Sequence, residues 1–133
     1  MNAEALAELG ELDKTAWDAT IKPIRDRAGF TLASALEFPE GASKDKLIEI
    51  VRNERRSELA LEGHRHKDII RWRIADNVLN GWCHGLKTND VVGTDDGYVR
   101  VENRTFNANK HYLWPIPQAE RDLKGNFEQN PNW

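Results

Sequence analysis

The sequence predicts a mainly α domain carrying long irregular segments, and three observations carry that reading. Apolar residues recur at helical spacing in three separate windows. Residues suited to helix starts, Asp13, Ser43 and Asp68, stand at or near the head of each window. From Asn80 to Lys110 the periodicity disappears, and Gly81, Gly85, Gly93 and Gly97 punctuate the chain.

Taken in order, residues 2–9 are rich in Ala, Leu and Glu and suit one or two helical turns ending at Gly10. Asp13 then caps a helix over about 13–28, with Gly29 as the residue that closes it. Trp17, Ile21, Ile24 and Ala28 make one buried stripe, and Pro23 inside that stripe is expected to kink or divide the helix. Residues 31–43 read as a connector, broken by Pro39 and Gly41. Ser43 caps the next helix, over about 44–62. On its wheel Leu47, Ile50, Val51 and Leu61 share a face, and Glu54 and Glu58 fall in the middle of that face. Glu62 and Arg55 lie at its margin, while Arg52 and Arg56 lie on the opposite, solvent side. Gly63 ends or bends this helix. Ile69, Ile70, Ile74, Val78 and Leu79 then predict a helix over about 68–79, capped by Asp68. A loop over about 80–110 follows, with at most a short extended piece at 98–101. The segment 111–133 starts extended, because Pro115 and Pro117 favour polyproline geometry, and a short helical turn follows from Gln118 to Leu123.

Composition narrows the function classes. A chain of 133 residues is about one domain, long enough to bury roughly two-thirds of its unfolded surface. A formal net charge of −3 provides no general attraction for nucleic acid or anionic membrane. The single cysteine, Cys83, excludes an internal disulfide. No apolar run approaches 18 residues, and the N-terminus has acids where a secretory signal needs basic residues and an apolar core.

The densest stretch of charge is "RNERRSELALEGHRHKDIIRW", residues 52–72. Helix, glycine and helix with many basic residues invites comparison with a helix-turn-helix module that binds nucleic acid. Against it, the acids interleaved with the basic residues offset much of the charge. Glu54 and Glu58, one turn apart, are also the raw material of a small carboxylate enzyme. The reading that fits the wheel better is structural. Carboxylates on a buried face need cations, and Arg55, Arg65, Arg71 and Arg73 are near in sequence. A network of Glu54, Arg55, Glu58, Glu62, Arg65 and Arg71 is expected to lock two helices across Gly63. His64, His66, Cys83, His84 and His111 are metal-ligand types, but their spacing matches no structural zinc site, so neither metal nor other cofactor is expected. No phosphate loop or nucleophile elbow appears, and no catalytic residue is assigned. Among the aromatics, Trp72 suits the core, whereas Trp82 and Tyr98, in the long loop, are the candidates for stacking against a sugar ring.

Three segments in order resemble the C-terminal portion of SusD/RagB-family lipoproteins: "IRDRAGF", "LIEIVRNERRSELALEGHRHKDIIRW" and "YLWPIPQAERDLKGNFEQNPNW". The family pattern is an arginine-alanine-glycine helix end, an ERR-x-EL-x-x-EG-x-R block closing in RW, and a terminal LPIP…QNP-G-Y. The chain departs from it at His66–Lys67, at Trp114 and in "QNPNW". The resemblance implies a tetratricopeptide-type helical fold and a binding protein, not an enzyme. It also implies a place on the outer face of a Gram-negative outer membrane, held by a lipid anchor absent from this chain. Its partners would be an oligosaccharide or other nutrient and a TonB-dependent SusC-like transporter. It gives residues 52–72 a scaffold role and assigns no ligand contact to any position here.

Overall fold

The computed structural model describes residues 1–89, 94–123 and 125–133. It is mainly helical with one small sheet, and it divides into two units, Met1–Arg65 and His66–Trp133.

The first unit contains α1 (Asn2–Leu9), α2 (Lys14–Arg27), the single turn α3 (Ala33–Leu36) and α4 (Lys44–Glu58). Gly10, at φ 82°, closes α1 in the left-handed conformation that glycine adopts without steric cost. The Asp13 carboxylate accepts the Ala16 N–H to start α2, and the Ser43 hydroxyl accepts the Lys46 N–H to start α4. α2 runs through Pro23 without dividing. The helical bond that the proline deletes belongs to Ala19, an exposed position. At the C-terminus of α2 the Phe30 N–H reaches back to Arg25 O at 3.1 Å, with Gly29 left-handed at φ 84°. This is the geometry behind "RAGF".

Ala3, Ala7, Leu12, Trp17, Ile21, Leu47 and Val51 form the core of this unit. Trp17 is 1% exposed, packs edge-on against Phe38 at 5.9 Å and donates its Nε1 hydrogen to Leu36 O at 2.8 Å. Truncating it to alanine removes about 3–5 kcal/mol. Ile24 is half-buried and Ala28 exposed, so the predicted stripe is closed only at its first two positions. α4 also ends earlier than the wheel required, at Glu58 instead of 62. Leu61, expected on the buried face, is fully exposed at φ 67°. The helix has stopped before that residue comes round, so helical periodicity no longer decides where it points.

α5 (His64–Arg71) runs across the division between the units and is followed by the single turn α6 (Ala75–Val78). The helix predicted over 68–79 is thus two pieces, broken at Arg73, φ 56°. Tertiary contacts explain the break. The Arg73 guanidinium lies over the Tyr112 ring at 4.8 Å, and the Tyr112 hydroxyl accepts the Ala75 N–H at 3.1 Å and donates to Asp76 Oδ1 at 2.6 Å. Asp68 does not cap α5. It is buried within the helix and accepts from Arg71 Nε at 3.0 Å.

The predicted loop 80–110 contains a three-stranded antiparallel sheet: β1 (Gly81–Lys87), β2 (Thr94–Asp95) and β3 (Tyr98–Arg104), in the order β1-β3-β2. Asp96 at φ 51° and Gly97 at φ 83° make the two-residue turn between β2 and β3, with both residues left-handed as tight hairpins require. A Cβ on Gly97 would sit 3.1 Å from Thr88 O. Gly93, named with the loop glycines, lies outside the described residues. All of β3 is exposed. The extended piece expected at 98–101 is the start of β3, where Val99, Arg100, Val101 and Glu102 alternate. With no face buried, that alternation does not run on through 102–104, and β1 carries none that would mark it.

Past the sheet, α7 (Gln118–Leu123) is the short helix of the tail. The Gln129 side chain accepts the Ile116 N–H at 2.8 Å and donates to Ile116 O at 3.0 Å. Asn130 Nδ2 donates to Trp114 O at 2.6 Å, and Trp133 Nε1 donates to Lys110 O and Leu113 O at 3.1 and 3.0 Å. The "WPIP" and "QNPNW" motifs are therefore two halves of one clamp. Pro115 and Pro117 have no N–H, so Ile116 holds the one main-chain donor between them, and Gln129 binds it.

Candidate functional site

The charged stripe of α4 is bound by upstream helices. Arg25 Nε and Nη2 both donate to Glu54 Oε2, at 2.9 and 2.7 Å, and Nη1 donates to Ala35 O at 2.6 Å. The same guanidinium lies over Trp17 at 5.2 Å and Phe30 at 5.9 Å. Arg25 and Glu54 side chains are each only 15% exposed, which makes this a desolvated, charge-assisted pair. Arg27 Nη2 bonds Glu58, Arg55 Nε lies 3.8 Å from Glu4, and Arg52 Nη2 donates to Glu8 at 2.7 Å. α4 is thus tied to α2 by its glutamates and to α1 by its arginines. Arg52, expected on the solvent side with Arg56, is half-buried in such a pair; Arg56 is exposed. Of the other predicted network members, Arg71 pairs with Asp68, Glu62 is exposed with His64 Nε2 3.9 Å away, and Arg65 is half-buried.

Beside this stripe the first unit holds a cleft of about 500 Å³, floored by Ile21, Ile24, Val51 and Leu59 and edged by Glu54 and Glu58. Both carboxylates face arginines of α2, an arrangement that fixes helices against one another. The metal-ligand types are dispersed. His66 packs edge-on to Trp114 at 6.5 Å, His111 Nδ1 accepts the Asn107 N–H at 2.9 Å, and Cys83 is half-buried on β1.

The two aromatic candidates lie on the sheet of the second unit. Trp82, on β1, is 45% exposed, and Tyr98, at the start of β3, is 43% exposed. Between them stands a polar set of which the sequence singles out only His84, as a metal-ligand type. His84 Nε2 lies 2.8 Å from Asp95 Oδ2, Arg100 Nε donates to Asp95 Oδ1 at 2.9 Å, and Arg100 Nη2 bonds the same oxygen. The Arg100 guanidinium also lies 5.6 Å from the Trp82 ring centre, and Lys87 Nζ lies 5.4 Å from that of Tyr98. The hydrogen bonds from Arg100 and then His84 hold the Asp95 carboxyl well below the usual carboxylate range. Pairing sets this geometry. His84 is opposite Arg100 and Asp95 is opposite Tyr98, with shifts in register on both sides of His84. Such bulges re-aim side chains. Gly85 is part of the same irregularity, since a Cβ there would lie 2.9 Å from Val101 Cγ2. The available signal was "DDGYV", an Asp-Gly turn that pairs residue 95 with 98.

Comparison with known proteins places these features in a family. A family model described as the SusD family matches residues 1–133. The chain is similar to SusD-like protein P2 of Formosa agariphila, 30% identical over 130 residues, which is 96% of this chain and 22% of that protein. Among solved structures it resembles a SusD-like protein from Bacteroides fragilis, with TM-score 0.74 and 28% identity over 98% of this chain and 23% of the other. It also resembles a SusD homolog from Bacteroides thetaiotaomicron, with TM-score 0.67 and 31% identity over 98% of this chain and 24% of the other. The chain thus spans under a quarter of the length of these relatives. With the match complete over its own residues and the helical architecture shared, the chain belongs to the SusD family.

Proposed function

We propose that this chain is part of a cell-surface glycan- or nutrient-binding lipoprotein of the outer membrane, one that passes its ligand to a TonB-dependent SusC-like transporter. The family match over residues 1–133 carries this reading. Within it, residues 52–72 serve as scaffold: α4 is held to two helices by Arg25–Glu54, Arg27–Glu58 and Arg52–Glu8. The work is binding and handover, not catalysis, and the lipid anchor belongs to the whole protein. The helix-turn-helix alternative finds no support, since Arg52 and Arg55 of α4 face the acids of α1.

The test is made in the source organism on the affinity-tagged product of the complete gene. Surface labelling of intact cells and co-purification from detergent extract with a TonB-dependent transporter are the expected results. A soluble product that purifies without any transporter would overturn the reading.

A further inference from the structure

We infer that one face of the β1-β3-β2 sheet is a subsite for a short run of neutral pyranose units, with Trp82 and Tyr98 as stacking platforms for different units and Arg100, Asp95 and His84 as hydrogen-bonding groups between them. This rests on the glycan-binding reading above and adds to it a location and a ligand class.

The placement follows from the pairing. Asp95 stands opposite Tyr98, His84 stands opposite Arg100, and Tyr98 and Arg100 are alternate residues of β3. Alternate residues share a face about 7 Å apart. Trp82 and His84 alternate along β1, and the Arg100 guanidinium touches both the Trp82 ring and Asp95. The five side chains therefore form one continuous surface, an indole at one end and a phenol at the other.

The chemistry of that surface is selective. A pyranose presents C–H groups on its flat faces and hydroxyls around its edge. Indole and phenol rings offer apolar faces to the former at low conformational cost. The hydroxyls both donate and accept, so the protein must offer both kinds of group. Asp95 is an acceptor and Arg100 a donor, and Arg100 Nη1 has no protein partner among the described residues. Arg100 balances Asp95, and Lys87 beside Tyr98 adds a single positive charge at one end, so the face is not built to select a strongly charged anion. Arg100 is anchored by two bonds to Asp95 and lies against Trp82, which holds the indole in one orientation and reduces the ordering cost of binding. The register shifts beside His84 and the glycine at 85 are the local irregularities that make this arrangement possible.

The experiment is affinity electrophoresis of the complete gene product in native gels containing amylopectin, mixed-linkage β-glucan, galactomannan or arabinoxylan. Variants are Trp82→Ala, Trp82→Phe, Arg100→Ala and, as a control, Trp114→Ala, each first checked by circular dichroism. At least one polysaccharide is expected to retard the parent protein. Trp82→Ala and Arg100→Ala are expected to weaken that retardation about tenfold or more, as loss of a central aromatic or arginine contact does. Trp82→Phe restores most of it, and Trp114→Ala leaves it unchanged. Parental retardation in both Trp82→Ala and Arg100→Ala overturns the sheet-face subsite while leaving glycan binding elsewhere in the protein intact. Absence of retardation by all four polysaccharides overturns the subsite too, and co-purification with a transporter then decides separately whether the wider reading survives.

Discussion

Arg25 is the residue on which the first unit turns. Its guanidinium gives two hydrogen bonds to Glu54 and one to Ala35 O, and it covers Trp17 and Phe30. Glu54→Ala leaves that cation without its carboxylate in a half-buried setting, and a loss of about 3–5 kcal/mol is expected. Arg27 is 72% exposed, so Arg27→Ala is expected to cost under about 1 kcal/mol despite deleting a similar pair. Thermal melts of the two variants separate these values, and equal losses would refute the ranking. Tyr112 supplies a second prediction. Burial and the hydrogen bond to Asp76 push its phenol above the ordinary value of 10.0. A raised value means that the folded state holds the proton more tightly. The stability it contributes is complete below about pH 10 and is lost as pH rises through the folded value. Tyr112→Phe is expected to remove the latest phase of a phenolate absorbance titration; an unchanged curve contradicts the assignment.

Among the elements, the β2–β3 hairpin and the C-terminal clamp depend on single groups. Gly97→Val places a branched side chain at φ 83° and within 3.1 Å of Thr88 O. The expected cost is about 1–2 kcal/mol or more, concentrated in the hairpin. Hydrogen exchange at Val99 and Arg100 is the measurement, with faster exchange there and little change in α2 expected. Gln129→Ala strips both partners from the Ile116 main chain, and about 1–3 kcal/mol of local stability is expected to go with them. Limited proteolysis then cuts near residues 113–118 sooner than in the parent; equal cutting rates count against the clamp. The helices were the legible elements because a buried face imposes a 3.6-residue period, as at Leu47 and Val51 of α4. Of the strands only the extended piece at 98–101, the start of β3, was legible, because both faces of the sheet meet solvent and little beyond the Asp96–Gly97 turn marked the rest.

For the whole molecule, a net charge of −3 and arginines already engaged by acids predict no nucleic-acid affinity. Fluorescence anisotropy with labelled duplex DNA at low salt is expected to stay flat up to micromolar protein, and a salt-sensitive isotherm would count against the binding-protein reading. The sequence by itself determined the family, through three motifs in order, together with the caps at Asp13 and Ser43 and the apolar positions Trp17, Ile21, Leu47 and Val51. These are local or periodic signals, set by the backbone geometry of one helix at a time. Only the tertiary structure decided partners. Glu54 meets Arg25, 29 residues away, and Trp82 meets Arg100 through a sheet that has no buried face. The reason is physical: a wheel shows which way a charge points but not which oppositely charged group arrives there. That choice belongs to the packing of distant segments, whose pairing leaves no period in the chain.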